Sequence, residues 1–397
     1  MTTASPNEVT SIDLALSRLA AGSSRERLLA AAIQCTAASS ADHVTAAEII
    51  KAAGVSRPTL YSYFDDVSSV LAEAWVELGR PWLTSLLDGL RPSTPAELQV
   101  HATMTEILSI ALRVPEVHEV VIPDLQSLWT ELQALGKAKT AQMIWLMGIQ
   151  IGMQLSAPII PEILNLYAAL PIIQSIPEDV EKRLNIGNAP VLATPIDVKS
   201  PYESTSSDDL NTALIRASVR VVSNSGVAAA SLTRICRAAR VTTGAAKPRF
   251  KDTNDLLLQG FDFAIQKVVE ENLAEYDSVD MQNSPWDGYA QLVNTSLSES
   301  RLTWRRYRQE LHLAAHVNPA LAAHLAESFD RINAALRESL IALNLETPGV
   351  EASIQLNQSS TIGLSLLHDL GLPIETVDHR VTLRWIGEVL FPGLYKY

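Results

Sequence analysis

Residues able to hydrogen-bond and stack crowd one short stretch of the chain: Thr45, Ser56, Arg57, Thr59, Tyr61, Ser62 and Tyr63. Hydroxyls, a guanidinium and phenol rings at this density suit contacts to phosphate oxygens and base edges, not bond-making chemistry. Their spacing dictates the elements that would hold them. Thr45 is placed to cap a helix whose apolar face is Ile49, Ile50 and Ala53, and Gly54 can take the positive φ that ends it. Val55 plugs the core beneath the turn. Ser56 caps a second helix with Pro58 in its first turn, where no intrahelical N–H is needed, and Leu60 and Phe64 pack it down. The stretch predicts a helix-turn-helix whose second helix presents its N-terminal residues to a groove of nucleic acid.

Other chemistry is poorly represented. There is no phosphate-cradling glycine loop, no Gly-x-Ser-x-Gly elbow and no His-Glu-x-x-His, so no enzymatic activity is expected. His312 and His316 have a chelating i, i+4 spacing, but no third ligand follows, and neither a metal nor a cofactor is expected. Cys35 and Cys236 make no metal spacing and no disulfide framework, which fits a reduced, cytoplasmic setting. The first residues lack a basic start followed by an apolar run, so no signal peptide is expected. Thr140 to Pro161 is uncharged and long enough to span a bilayer. Its glutamines and prolines, with His368 and Asp369 in the matching stretch further on, favour a buried interface helix and no membrane partner.

At 397 residues the chain suits two to three domains, and 47% hydrophobic with 19% charged residues is globular. A net charge of −13 excludes general coating of nucleic acid, so any DNA contact needs a local basic patch. Residues 1–22 read as a loosely packed arm with Arg18 as its only arginine, and 23–75 as the helix-turn-helix domain. Residues 76–197 read as a helical ligand and dimerisation domain punctuated by prolines, and 198–209 as a Ser-rich linker. No two-residue alternation runs long enough to predict a sheet.

On Thr45, Ile49, Ala53, Gly54, Val55, Ser56, Thr59, Leu60, Tyr61, Tyr63 and Phe64, after a first helix over Arg27–Ala37, the chain resembles the TetR family of bacterial transcriptional regulators. The family's pattern, Thr-x-x-x-Ile-x-x-x-Ala-Gly-Val-Ser and then Thr-Leu-Tyr-x-Tyr-Phe, is met in register. One departure is Val67, where the family usually has a phosphate-contacting Lys. The resemblance implies an all-α protein that binds a double-stranded DNA operator and dimerises through a four-helix bundle. It also implies a small apolar ligand in the helical domain, whose binding moves the DNA-reading helices apart.

The chain then starts again. Adding 186 carries Leu28, Ala31, Ile49, Ala53, Val55, Phe64 and Leu71 onto Leu214, Ala217, Ile235, Ala239, Val241, Phe250 and Leu257. An offset of 204 carries Glu106 and Pro115 onto Glu310 and Pro319, and one of 215 carries Gly148, Leu155, Pro158 and Ile159 onto Gly363, Leu370, Pro373 and Ile374. The expected architecture is therefore all-α, with two tandem TetR-like units forming a pseudo-dimer, the second comprising a helix-turn-helix domain over 210–262 and a helical domain over 263–397. Ile144–Leu155 and Ile362–Leu372 are the candidate seam, equally readable as ordinary core.

The second copy departs from the first. Arg240 replaces the turn glycine, Lys247 and Arg249 replace Tyr61 and Tyr63, and Pro248 is expected to kink or shorten the short helix. Thr45–Asp65 balances Lys51 and Arg57 against Glu48 and Asp65, whereas Ser231–Lys251 holds six cations and no acid. Ser231, Thr242, Thr243, Lys247, Arg249 and Lys251 are therefore candidate phosphate contacts, with the first copy reading bases. Trp129, Met143 and Met147 in the first half and Trp304, Arg308 and His312 in the second are candidate ligand contacts, although such stripes also build cores. The leading expectation is a ligand-responsive repressor acting as a covalent pseudo-dimer. Two alternatives stay open: a homodimer of tandem chains with the second copy as scaffold, and a helical sensor that binds no DNA.

Overall fold

The computed structural model describes residues 11–89, 91–184, 186, 209–276, 285–342 and 347–390, and among them every regular element is a helix. Residues 1–10 of the expected arm and 198–208 of the expected linker lie outside the described residues. No helix among those described is long and apolar enough to cross a membrane. The chain divides into two compact units, Met1–Glu131 with Leu370–Leu372, and Leu132–Asp369 with Pro373–Tyr397.

The first unit holds α1 (Ser11–Ala21), α2 (Ser24–Ser39), α3 (Ala46–Ala53), α4 (Arg57–Tyr61), α5 (Val67–Leu87), α6 (Pro95–Ile110) and all but the last two residues of α7 (Pro115–Gln133). From Ser11 onward the expected loose arm is instead a packed helix. Ile12, Ala15, Leu16 and Leu19 recur at helical spacing, and Ile12 and Leu19 are buried where α1 meets α2, α5 and α6. Arg18 pairs with Glu26 at 3.1 Å and with Glu77 at 2.7 Å, so it is engaged within the unit. Buried side chains then fix the helical body beneath the turn. Trp75 donates to Asp124 at 2.9 Å, Trp82 packs edge-on against Trp75 with ring centroids 5.8 Å apart, and Trp82 donates to His101 Nδ1 at 3.1 Å.

The second unit opens with α8 (Lys137–Ser156), a 3₁₀ turn over Pro161–Ala168, α9 (Leu170–Gln174) and α10 (Val180–Arg183). It continues with α11 (Leu210–Ser225), α12 (Leu232–Ala238), α13 (Thr243–Ala246), α14 (Thr253–Tyr276) and α15 (Pro285–Ser296). After a 3₁₀ turn over Glu299–Arg301 come α16 (Leu302–Ala315), α17 (Pro319–Ala342), α18 (Thr347–Asp369) and α19 (His379–Leu390). The two apolar helices named as a seam, α8 and α18, pack against one another along their length, which is why α8 groups with the second unit.

Their approach is set by glycine. A Cβ on Gly363 would overlap the Gly148 carbonyl, and one on Gly152 would overlap the Ser359 carbonyl, so backbone meets backbone. Pairing 148 with 363 and 152 with 359 makes the helices antiparallel. A buried ion pair locks the end of α18: Arg305, on α16, holds Asp369 through Nη2 at 2.6 Å and donates to the Ser296 and Ser298 carbonyls at 3.0 and 2.6 Å. Both side chains are only 2% exposed, and every Arg305 nitrogen has a partner, which is what makes a buried charge tolerable.

Candidate nucleic-acid interface

In the first unit α3 begins with a capping box. Thr45 Oγ1 accepts the Glu48 N–H at 3.3 Å while the Glu48 carboxylate accepts the Thr45 N–H at 2.8 Å. These Thr45 contacts also hold the Glu48 carboxyl below its ordinary range. Gly54 ends the helix at φ 64, its N–H donating to Lys51 O at 3.3 Å and that of Val55 to Ile50 O at 3.2 Å. Ser56 Oγ then caps α4 by accepting the Thr59 N–H at 3.3 Å, and bonds the Thr59 hydroxyl at 2.7 Å.

This frame sorts the side chains. Leu60 is fully buried and Phe64 is 6% exposed, whereas Tyr61 and Tyr63 are 44% and 50% exposed. Arg57 lies over the Tyr61 ring, its guanidinium carbon 5.6 Å from the centroid. Of the residues singled out in the sequence, Thr45, Ser56 and Ser62 use their hydroxyls on the local backbone, Ser62 by donating to Thr59 O at 2.7 Å. Arg57, Tyr61 and Tyr63 carry their polar ends outward. Val67, where the resemblance implied a lysine, opens α5 behind the cap Asp66. The loop between α2 and α3 is anchored to α6 and the turn after it, since Glu106 accepts the Ala41 N–H at 2.5 Å and Arg113 pairs with Asp42 at 2.6 Å.

In the second unit the same bonds recur 186 residues on. Ser231 accepts the Arg234 N–H and Thr242 the Ala245 N–H, both at 3.3 Å. Arg240 N–H donates to Arg237 O at 3.1 Å and Val241 N–H to Cys236 O at 2.9 Å. Arg240, standing where Gly54 stands, adopts φ 58. Pro248 shortens the helix and does not kink it: α13 ends at Ala246 with Lys247 as its cap, one residue earlier than the matching α4, and the proline follows the end, where it costs no intrahelical bond. Arg234, Arg237, Arg240, Lys247, Arg249 and Lys251 are all exposed, and among the described residues none of them is ion-paired. Thr243 is half-buried in the first turn of α13. Tyr307 of α16 ties this subdomain down by donating to Leu257 O at 2.7 Å.

The candidate ligand residues are scattered. Trp129 belongs to α7 of the first unit. Met143 and Met147 sit on α8, half-buried and fully buried. Trp304, Arg308 and His312 do come together on α16, with Arg308 over the Trp304 ring and bonded to Thr361 O at 2.9 Å. Burial lowers the Arg308 pKa to about 10 and that of His312 to about 3, so at neutral pH the first stays charged and the second neutral. None of the six borders either of two hollows seen among the described residues of the second unit. One is an open groove between Pro158–Pro161 and the α16–α17 corner; the other is a slot among α8, α15, α18 and α19. Of the slot's residues, Trp145 stands in the same first-half stripe as Met143 and Met147, while those of α15 were missed in the sequence, although the offset between the halves steps from 186 to 204 where α15 stands.

Two local frames thus present, in one case, an arginine and two tyrosines on a capped helix and, in the other, six exposed cations, of which Arg249 donates to Ala245 O at 2.7 Å. No curated protein matches the chain. Residues 28–74, from α2 into α5, match the family model described as bacterial regulatory proteins, tetR family. The match coincides with the first capped helix-turn-helix and supports a DNA-binding transcriptional regulator of the TetR family.

Proposed function

We propose that the chain is a ligand-responsive repressor in which two unequal helix-turn-helix subdomains act as a covalent pseudo-dimer on a double-stranded operator. The carrying observation is the seam. Gly148 and Gly363 occupy matching positions, 215 residues apart, and they touch each other. Equivalent residues in mutual contact are the mark of a two-fold axis. The recurrence of cap and turn bonds at an offset of 186 supports the same reading. The contact that two TetR subunits would make is then made within one polypeptide, and the halves are free to differ.

In this reading Arg57, Tyr61 and Tyr63, with Thr59, read base edges, while the six cations of the second copy grip phosphates. Six engaged cations correspond to a salt slope of about −5, at roughly −0.9 per phosphate. The test is a pair of variants measured against a selected operator across a salt series. Arg57→Ala with Tyr61→Ala is expected to weaken binding about 10- to 100-fold and relax sequence preference. Neutralising Lys247, Arg249 and Lys251 is expected to flatten the slope by about three. Unchanged affinity in the first variant would mean that another surface reads the DNA. Absence of any DNA complex would favour the sensor without DNA.

A further inference from the structure

We propose that the second helix-turn-helix is a sequence-blind clamp on duplex DNA. The operator then holds one run of specified bases per chain, flanked on one side by duplex of any sequence. This rests on the regulator reading and fixes the kind of DNA that such a regulator takes.

At the offset of 186, the four side chains assigned to base edges in the first copy are all replaced in the second. Arg57 falls on Thr243, Thr59 on Ala245, Tyr61 on Lys247 and Tyr63 on Arg249. α13 is only four residues long, Thr-Gly-Ala-Ala, and Ala246 is buried. Its one polar side chain, Thr243, is half-buried and carries a lone hydroxyl, which bonds donors and acceptors alike and so discriminates poorly between bases. The hydroxyl ahead of it, on Thr242, is occupied by the Ala245 N–H, which it accepts at 3.3 Å. Arg249 turns back and donates through Nη1 to Ala245 O at 2.7 Å, closing the end of α13 instead of reaching along a groove. Within α13 no side chain can make a bidentate contact to a base edge.

Charge stands around α13, not on it. Arg234 and Arg237 lie on α12, Arg240 in the turn, and Lys247, Arg249 and Lys251 beyond the last residue of α13. In a helix-turn-helix the first helix crosses the backbone of the duplex while the second enters the groove, so this distribution sets cations over phosphates. Arg240 takes, at φ 58, the left-handed conformation that Gly54 takes freely, so the turn keeps its geometry and gains a positive charge.

The first copy has the opposite balance. Arg57, Tyr61 and Tyr63 are exposed, but Lys51 and Arg57 stand against Glu48 and Asp65. It supplies an address with little electrostatic pull. The second copy supplies pull without an address, because phosphate contacts carry no sequence information and weaken steeply with salt. A chain divided in this way needs only one specified half-site.

The test selects sites with the full chain from a random duplex pool, then rebinds it to duplexes whose flanks are scrambled or trimmed away. Expected are one conserved run per bound chain and a footprint that reaches past it on one side. Scrambling that flank is expected to change affinity less than about twofold, whereas trimming it lowers affinity more than about tenfold and flattens the salt slope by about five. A variant carrying Arg57→Ala, Tyr61→Ala and Tyr63→Ala is expected to enrich no sequence. It still binds random duplex with a salt slope within about one of the parent's, which also shows that it folds. Four results would each overturn the clamp and leave the regulator standing: two conserved runs per chain, a flank whose sequence matters, a flank trimmed without loss, or a variant that still selects a sequence. A chain that binds no duplex at any salt would remove the regulator reading, and the clamp with it.

Discussion

Arg240 adopts φ 58 at a turn where the matching residue, Gly54, takes φ 64 without a Cβ to accommodate. A side chain in the left-handed region costs about 1 kcal/mol, partly offset because glycine loses more freedom on folding. Arg240→Gly is therefore expected to raise stability in denaturant titration by up to about 1 kcal/mol, and to lower the salt slope of DNA binding by about 0.9. A destabilised variant would contradict the strain. The Arg305–Asp369 pair makes the opposite point. Both side chains are buried, so Arg305→Ala leaves a carboxylate without its partner and is expected to cost about 3–5 kcal/mol. Neither partner's role was legible in the sequence, because charged residues on amphipathic helices ordinarily face water and these two are 64 positions apart. The caps of the first copy were legible: Thr45 and Ser56 each accept the N–H expected of them, since capping is decided within four residues, whereas Ser231 and Thr242, read as phosphate contacts, cap their helices in the same way.

At the level of elements, α8 and α18 depend on Gly148 and Gly363 for their separation. Gly148→Leu would drive a side chain into Leu364 and its backbone N, and is expected to lower stability by at least about 2 kcal/mol. A variant as stable as the parent would mean the helices can part without loss, which would remove the seam's claim to hold two halves together. Both apolar stretches stood out in the sequence, but their antiparallel register did not, because it depends on a contact between segments 215 residues apart. Short elements beside long ones were read unevenly. α1 was taken for a loose arm because its hydroxyls and small residues masked the spacing of Ile12, Leu16 and Leu19. α15 went unread, although the step in the offset marked its place.

Over the whole molecule, buried histidines set a pH dependence. Burial lowers the His379 pKa to about 4 and that of His312 to about 3, against an ordinary value near 6.5. Below about pH 6.5 the unfolded chain takes up protons that the folded one excludes, so stability is full above that pH and is lost as pH falls toward 4. Each histidine contributes a decline of about 1.4 kcal/mol per pH unit in that window, and urea unfolding at pH 7, 6 and 5 checks it; a flat profile would contradict the burial. The DNA-binding claim has a more direct test. Binding sites are selected from random duplex DNA with the full chain, and the mass of the resulting complex gives its stoichiometry. A covalent pseudo-dimer with unequal halves predicts a non-palindromic site occupied by one chain. A palindrome occupied by two chains would contradict it, and would assign the reading of both half-sites to Arg57, Tyr61 and Tyr63 of the first copy.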